Sequence, residues 1–256
     1  MGLPTKRTTG KMDVGAIRWL IYGPPGIGKT TLASGFRKSL LLATEKGYKS
    51  HKVFARDVTA WNDSSDKDHS FVHLIKLLVK GDHDYQTVVI DIADKLFDLC
   101  SIYVCDKLGI EHESEAEWGK GWAGVKKEFE NEIYKLFATE LGVIFISHTK
   151  TDEITTDFIN IKKQVPTLSN QARKILLPLV DTIGYMRYRR KKISKGNFEE
   201  QFVITFKPSE DIEAKDRTGM LPPNLVLDVI PDDRKSPELV AKYAQKNYEK
   251  IAKYYK

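Results

Sequence analysis

Cysteine is nearly absent from this chain: two among 256 residues, Cys100 and Cys105. Five positions apart, they form neither a C-x-x-C pair nor a disulfide framework, and they read as buried thiols within a helix. Long apolar runs are missing as well. None approaches the length needed to cross a bilayer, and the first twenty residues hold no secretory apolar region. Met1-Gly2 does not begin a myristoylation signal, because position 6 is Lys6. The setting these absences imply is a reducing cytoplasm, with no membrane partner. A large charge of one sign is lacking too: 41 Lys and Arg stand against 35 Asp and Glu, a formal net charge of +6. That excess permits a polyanionic partner without requiring one. With 41% hydrophobic and 30% charged residues, a packed core is possible and wholesale disorder is not.

What the chain does contain is Gly23-Pro24-Pro25-Gly26-Ile27-Gly28-Lys29-Thr30, a full match to G-x-x-x-x-G-K-[ST]. An apolar run, Ile17 to Tyr22, precedes it as a buried strand, and Thr31-Leu32-Ala33 follows as the opening of a helix reaching about Lys38. Gly23 and Gly28 let the backbone turn tightly, so that successive N–H groups point at phosphate oxygens. The positive end of the following helix adds to that field. Lys29 is placed to reach the β- and γ-phosphates of a nucleotide triphosphate, and the Thr30 hydroxyl to hold Mg²⁺.

The second diagnostic stretch is Thr87-Val88-Val89-Ile90-Asp91, β-branched residues running into one acid. That is the form of a strand whose terminal carboxylate orients the water shell of Mg²⁺. Ser39–Thr44 and Val143–Ile146 are further apolar runs of the kind buried on both faces of a parallel sheet. Between them, Val53–Val58 reads as a short strand, Asp66 or Asp68 as the cap of a helix through Lys80, and Asp94–Leu108 as a helix. Residues 111–124 read as a loop, Lys126–Glu140 as an amphipathic helix stopped at Gly142, and 151–170 as a long polar loop. A short helix, Gln171–Leu177, precedes Ile183–Arg190 and Phe202–Phe206, two antiparallel strands joined through Lys195-Gly196-Asn197. Helices alternating with buried strands define an α/β fold with a mostly parallel central sheet and a C-terminal antiparallel hairpin. The expected organisation is a polar lead over 1–15, an ATPase domain over 16–235 and a basic C-terminal helix over 236–256.

Hydrolysis needs a group to activate the attacking water. Ile92, not an acid, follows Asp91, so the carboxylate comes from elsewhere. Glu45, ending the strand after the phosphate-loop helix, is well placed, because strand ends at the carboxyl edge of a parallel sheet converge on the nucleotide. It also fits an ordinary turn acid. His148 ends a core strand at the same edge and suits either a γ-phosphate contact or a plain strand-end histidine. Lys120, Trp122, Phe158, Lys162 and Lys163, with Arg189 and Arg190 in a basic run, supply the cations and aromatic faces that hold single strands. The same types also cover core or line a solvated strand edge.

Gly23–Thr30, Thr44-Glu45-x-Gly47, Val88–Asp91 and Ser147-His148-x-Lys150, in this order, resemble the RecA-like ATPases. More narrowly they are similar to phage-encoded nucleotide-binding proteins of that class, some of which are single-strand annealing recombinases. The similarity covers roughly residues 15 to 220. It implies an ATP- and Mg²⁺-dependent ATPase with Glu45 as catalytic glutamate and His148 as γ-phosphate sensor. It also implies that the 111–124 and 151–170 loops face DNA in a ring or filament of copies, in the host cytoplasm. Lys215-Asp216-Arg217 looks like the K-x-R element that such proteins insert into a neighbour's site, though it also fits a plain surface turn. Single-stranded DNA, further copies of the chain and a single-stranded-DNA-binding protein are the implied partners. Without an additional DNA-binding domain ahead of the core, annealing fits better than strand exchange. A nucleotide-dependent switch acting on a protein partner, in replication or packaging, is the alternative, and a small-molecule kinase a third.

Overall fold

A computed structural model of the chain describes residues 13–155, 160–194, 197–231 and 236–255. β1 (Arg18–Tyr22) leads through the glycine-rich turn into α1 (Lys29–Ser34), β2 (Ser39–Ala43) and β3 (Phe54–Asp57). α2 (Phe71–Lys80) precedes β4 (Thr87–Asp91), and α3 (Ala93–Leu108) and α4 (Lys120–Phe137) precede β5 (Gly142–Ser147). A ribbon of β6 (Thr149–Thr155) and β7 (Asn160–Pro166) is followed by α5 (Asn170–Leu179), β8 (Thr182–Ser194) and β9 (Asn197–Thr205). β10 (Lys215–Asp216), β11 (Asn224–Val226) and α6 (Pro237–Ala252) complete the described elements.

Nine of these strands form one sheet, ordered β11-β9-β8-β1-β5-β4-β2-β3, with β10 paired to β8. From β3 to β8 the pairings are parallel; β8–β9, β9–β11 and β8–β10 are antiparallel. The fold is therefore α/β with a mostly parallel sheet. Period-two alternation sends Leu20 and Tyr22 to one face and Trp19 and Ile21 to the other. Helices α2 to α5 cover the first face, where Trp61 stacks on Phe71 and Phe129 at ring distances of 5.0 and 5.6 Å. The Trp61 indole N–H donates to Glu128 Oε1 at 3.0 Å, so this large side chain is buried without an orphaned donor; truncating it to Ala costs about 3–5 kcal/mol. α1 and α6 cover the second face, around Trp19, Phe36, Phe206 and Tyr248. The α1–α6 approach is close because Gly35 has no side chain: a Cβ there would lie 2.2 Å from the Ala244 carbonyl oxygen.

Several local expectations differ from what is observed. α1 ends at Ser34 rather than near Lys38, since Gly35 lets the chain turn under α6. Asp66 opens only a single 3-10 turn, over Lys67–His69, and pairs with His69 at 2.9 Å; α2 begins after Ser70. α4 starts at Lys120, six residues earlier than its apolar spacing suggests, because Gly121 packs its backbone directly on the Glu113 carbonyl. Gly142 does not cap that helix. It opens β5, and its bare Cα lies against Gly15, where a Cβ would come within 2.0 Å of the carbonyl oxygen. Residues 151–155 and 160–166, expected as loop, are strand. They contain most of the β6–β7 ribbon, whose Glu153 faces Lys162 and whose Asp152 faces Lys163. A ribbon standing off the core is polar on both faces, so it lacks the apolar alternation that marks a strand in sequence. The β8–β9 hairpin extends further toward its turn than expected, to Ser194 and from Asn197, and Lys195 and Gly196 of its proposed turn lie outside the described residues.

Candidate nucleotide site

The turn Gly23–Thr30 leaves β1 in the middle of the sheet, between β5 and β8. Gly26 and Gly28 sit at φ +74° and +95°, left-handed conformations that cost a side-chain-bearing residue about 1 kcal/mol or more. Gly23 has a second reason to lack a side chain, since a Cβ there would lie 2.5 Å from the Met186 carbonyl oxygen on β8. At these three positions the turn is bare backbone.

Lys29 is buried, and its ammonium donates to the carbonyls of Gly23 at 2.8 Å and Pro24 at 2.9 Å. It lies 3.2 Å from His148 Nδ1. Burial pushes the Lys29 ammonium down to about 8, against the opposing pull of Asp91, Asp94 and Glu45. The Thr30 hydroxyl donates to Asp91 Oδ2 at 2.6 Å. Burial raises the Asp91 carboxyl above its ordinary value, while the Thr30 hydrogen bond and the Lys29 charge pull it back. Thr44 fixes the end of β4: its amide donates to the Asp91 carbonyl at 2.8 Å, and its hydroxyl bonds the amide and carbonyl of Ile92 at 2.9 and 3.1 Å.

A hydroxyl and a carboxylate oxygen this close form a hard-oxygen donor pair of the kind Mg²⁺ takes while keeping several waters. The residues fit the metal that the motif implies. Thr30 and Asp91 would hold it, and it would supply positive charge that offsets the charge of the phosphates.

Glu45 follows β2 at this edge, and its carboxylate is 3.2 Å from the Lys95 ammonium. Asp94, in the first turn of α3, accepts from the Thr167 hydroxyl at 2.6 Å, and its second oxygen is buried without a partner. Thr167 also donates its amide to the His148 carbonyl at 3.0 Å, which ties the strand end carrying His148 to the base of the β6–β7 ribbon. On the other side of the turn, the Thr31 hydroxyl meets His51 Nε2 at 2.9 Å. Beside them opens a cavity of about 380 Å³, walled by Gly26, Gly28, Thr31, Tyr188, Phe202 and Asn247 among others. Sequence reasoning did not assign Asp94, His51 or Tyr188 to this site. An acid in a helix's first turn was a faint signal for the first. Nothing local marked His51, and Tyr188 stood only within a basic run.

The remaining candidates are held by other partners. Lys215 donates to the carbonyls of Leu177 and Val180 at 2.8 and 2.6 Å. Arg217 donates to the Pro178 carbonyl at 2.8 Å and meets Asp181 at 3.4 Å. In the single chain both cations cap the C-terminus of α5. Lys120 and Trp122 stand in the first turn of α4, not in a loop, and the Trp122 carbonyl accepts from Gln171 at 3.1 Å. Lys162 pairs with Glu153 at 3.6 Å and Lys163 with Glu213 at 2.9 Å. Arg189 donates to Gln201 at 3.1 Å, and Arg190 stands opposite Glu200 across the hairpin. Phe158 lies outside the described residues.

A glycine turn between a central strand and a helix, a buried lysine within it, and a hydroxyl–carboxylate pair at the next strand end define a P-loop nucleotide-binding protein. The chain belongs to the AAA domain family, whose model matches residues 16–218, and by that family it is a P-loop ATPase. Among solved structures it is similar to the KaiC-like protein PH0186 from the hyperthermophilic archaeon Pyrococcus horikoshii OT3. The identity is 14%, the TM-score 0.41, and the match covers 79% of this chain and 88% of that one. No curated protein matches the sequence. No helix among the described residues is long and apolar enough to cross a membrane.

Proposed function

We propose that this ATPase binds single-stranded DNA and uses nucleotide turnover to promote annealing of complementary strands, working as an assembly of copies. The observation that carries the nucleotide part is the convergence of Lys29, Thr30, Asp91 and His148, linked by the Lys29–His148 and Thr30–Asp91 contacts at one sheet edge. In this reading Lys29 leaves the Gly23 and Pro24 carbonyls for the phosphates, Glu45 activates water and His148 senses the γ-phosphate. The cavity beside Thr31 takes the nucleoside, its base against the Tyr188 ring. For Lys215 and Arg217 to act on a neighbour's nucleotide, their bonds to the α5 terminus must break.

The DNA part is supported by the net charge of +6 and by the position of the β6–β7 ribbon. The ribbon springs from the residue after His148 and carries Lys150, Lys162 and Lys163. A change at the γ-phosphate would reach these lysines through the His148 carbonyl and Thr167. The test is a gel shift on single-stranded oligonucleotide across a salt series, with ATP turnover measured with and without that DNA for native protein and Lys29→Ala. Salt-sensitive binding and DNA-raised turnover, the turnover lost in the variant, are expected; no binding at low salt ends the DNA reading.

A second reading, a nucleotide switch acting on a protein or assembly partner, is favoured by one feature. Glu200 and Glu199 lie directly across from Arg190 and Lys191, and such pairing weakens the hairpin as a phosphate surface. Turnover that responds to a partner protein and ignores DNA would select it.

A further inference from the structure

The turn between α3 and α4 holds Trp118 with 93% of its surface exposed and its backbone at φ +55°, ψ +28°. Both features are unfavourable for the isolated chain. An L-residue other than glycine, asparagine or aspartate rarely adopts this left-handed conformation, and a bare indole gains nothing from water. The turn is nevertheless held firmly. The Glu115 amide bonds the His112 carbonyl at 3.0 Å, the Glu111 amide bonds the Glu115 carboxylate at 3.3 Å, and Gly121 packs on Glu113. A built platform that presents an aromatic outward is the form of a binding anchor.

Charge selects the partner. In sequence Trp118 is flanked by Glu111, Glu115 and Glu117, all on the same turn, with Lys120 the nearest cation. Three carboxylates repel a phosphate backbone, so this turn is a poor place for DNA and a good one for a basic surface. The chain carries such a surface itself. Arg187, Arg189, Arg190, Lys191 and Lys192 on β8 exceed Glu199 and Glu200 on β9 by three charges. Near the tip of that arm Ile193 and Phe198 are exposed by 66% and 60%. There they line an open cavity of about 720 Å³ together with Arg190, Asn197 and Glu200.

We propose that Trp118 anchors a head-to-tail contact between two copies of this chain. Its indole enters the neighbour's arm-tip cavity beside Ile193 and Phe198, with Glu115 and Glu117 against that arm's cations. The two patches are different surfaces, so the contact is heterologous and repeats from copy to copy into a ring or filament. This rests on the assembly proposed above and names the surfaces that make it.

The test is sedimentation velocity over a concentration series on the full chain, with Trp118→Ala, Glu117→Arg, Arg190→Glu and the last two combined. Native protein is expected to self-associate. Trp118→Ala weakens association at least about tenfold, as removal of a central Trp anchor does. Each charge reversal weakens it, and an equal mixture or the double variant recovers it. Trp19 and Trp61 are fully buried but Trp122 is 38% exposed, so in a Trp122→Phe background tryptophan emission reports Trp118, and there it should shift to the blue as the protein assembles. A native chain that stays monomeric, a Trp118→Ala variant that assembles like native, or a blue shift caused by single-stranded oligonucleotide on monomer overturns the proposal. Binding of Mg-nucleotide by Trp118→Ala, expected at the native level, separates this outcome from failure of the nucleotide reading, which Lys29→Ala tests.

Discussion

Replacing Asp91 by Asn should make the ligand-free protein more stable and the nucleotide-loaded protein less so. The Asp91 carboxylate is buried at the end of β4, and the Thr30 hydroxyl is its hydrogen-bond donor. Burial outweighs that bond and the Lys29 charge, so the folded pKa stands above the ordinary 3.8. For a carboxyl shifted upward, the folded state binds the proton more tightly than the unfolded one. Stability therefore falls as pH rises from 3.8 through the folded pKa, and the penalty is complete above it. An amide avoids that penalty and still accepts from Thr30, a gain of about 0.5–1 kcal/mol near neutral pH. The gain should vanish below pH 3.8. With Mg-ATP at about a hundred times its Kd, native protein gains about 2.7 kcal/mol, which for a chain of this size raises Tm by about 5–10 °C. A neutral amide is a weak ligand for a hard cation, so the Asp91→Asn variant should lose most of that increment. Differential scanning fluorimetry with and without Mg-ATP should give crossing orders: variant above native without ligand, native above variant with it. A variant less stable than native when ligand-free, or one that keeps the Mg-dependent rise, refutes the reasoning.

Tyr188→Ala should weaken ATP binding about tenfold by removing the stacking face, and leave Mg-tripolyphosphate binding at the native level; calorimetry with the two ligands compares them. Gly35→Ala should destabilise the fold by about 1–3 kcal/mol, because the added Cβ falls 2.2 Å from the Ala244 carbonyl and pushes α6 off α1; thermal unfolding measures it. Burial raises the phenols of Tyr22, Tyr185 and Tyr248 and takes Tyr255 up to about 12. Stability should accordingly decline as pH climbs above the ordinary 10.0. Tyr255→Phe should remove a part of that decline, under about 1 kcal/mol after solvent screening, in denaturant melts at about pH 9 and 11.

The central sheet was legible because its middle strands are buried on both faces and announce themselves as apolar runs. All six residues of β5 are buried, as are the first four of β4. The loops at the carboxyl edge were not, for two different physical reasons. The β6–β7 ribbon satisfies its backbone internally while standing in water, so its side chains follow charge pairing rather than burial. The start of α4 depends on one backbone contact, Gly121 on Glu113, between segments eight residues apart. Nothing in a helical apolar period encodes such a contact.

The proximity of the site residues follows from register rather than from any one motif. In the parallel sheet Ala43 pairs with Asp91, Asp91 with Ile146, Ile146 with Ile21, and Ile21 with Gly184, so one row of backbone crosses five strands. Glu45 lies two positions past that row on its strand, His148 two past it on another, and Gly23 two past it at the root of the turn. Equal offsets beyond a shared row bring these residues to the same height above the sheet edge. That is why apolar runs ending in Glu45, Asp91 and His148 could be grouped with the turn from sequence alone. His51 obeys no such rule, because a 3-10 turn over Lys46–Ser50 carries it back to Thr31. Tyr188 needs the pairing of β8 with β9, where Tyr188 faces Phe202, before it can be assigned to the nucleotide side of the sheet. A site reached by strand ends is therefore readable wherever burial writes the strand, and unreadable wherever a turn or a hairpin register delivers the side chain.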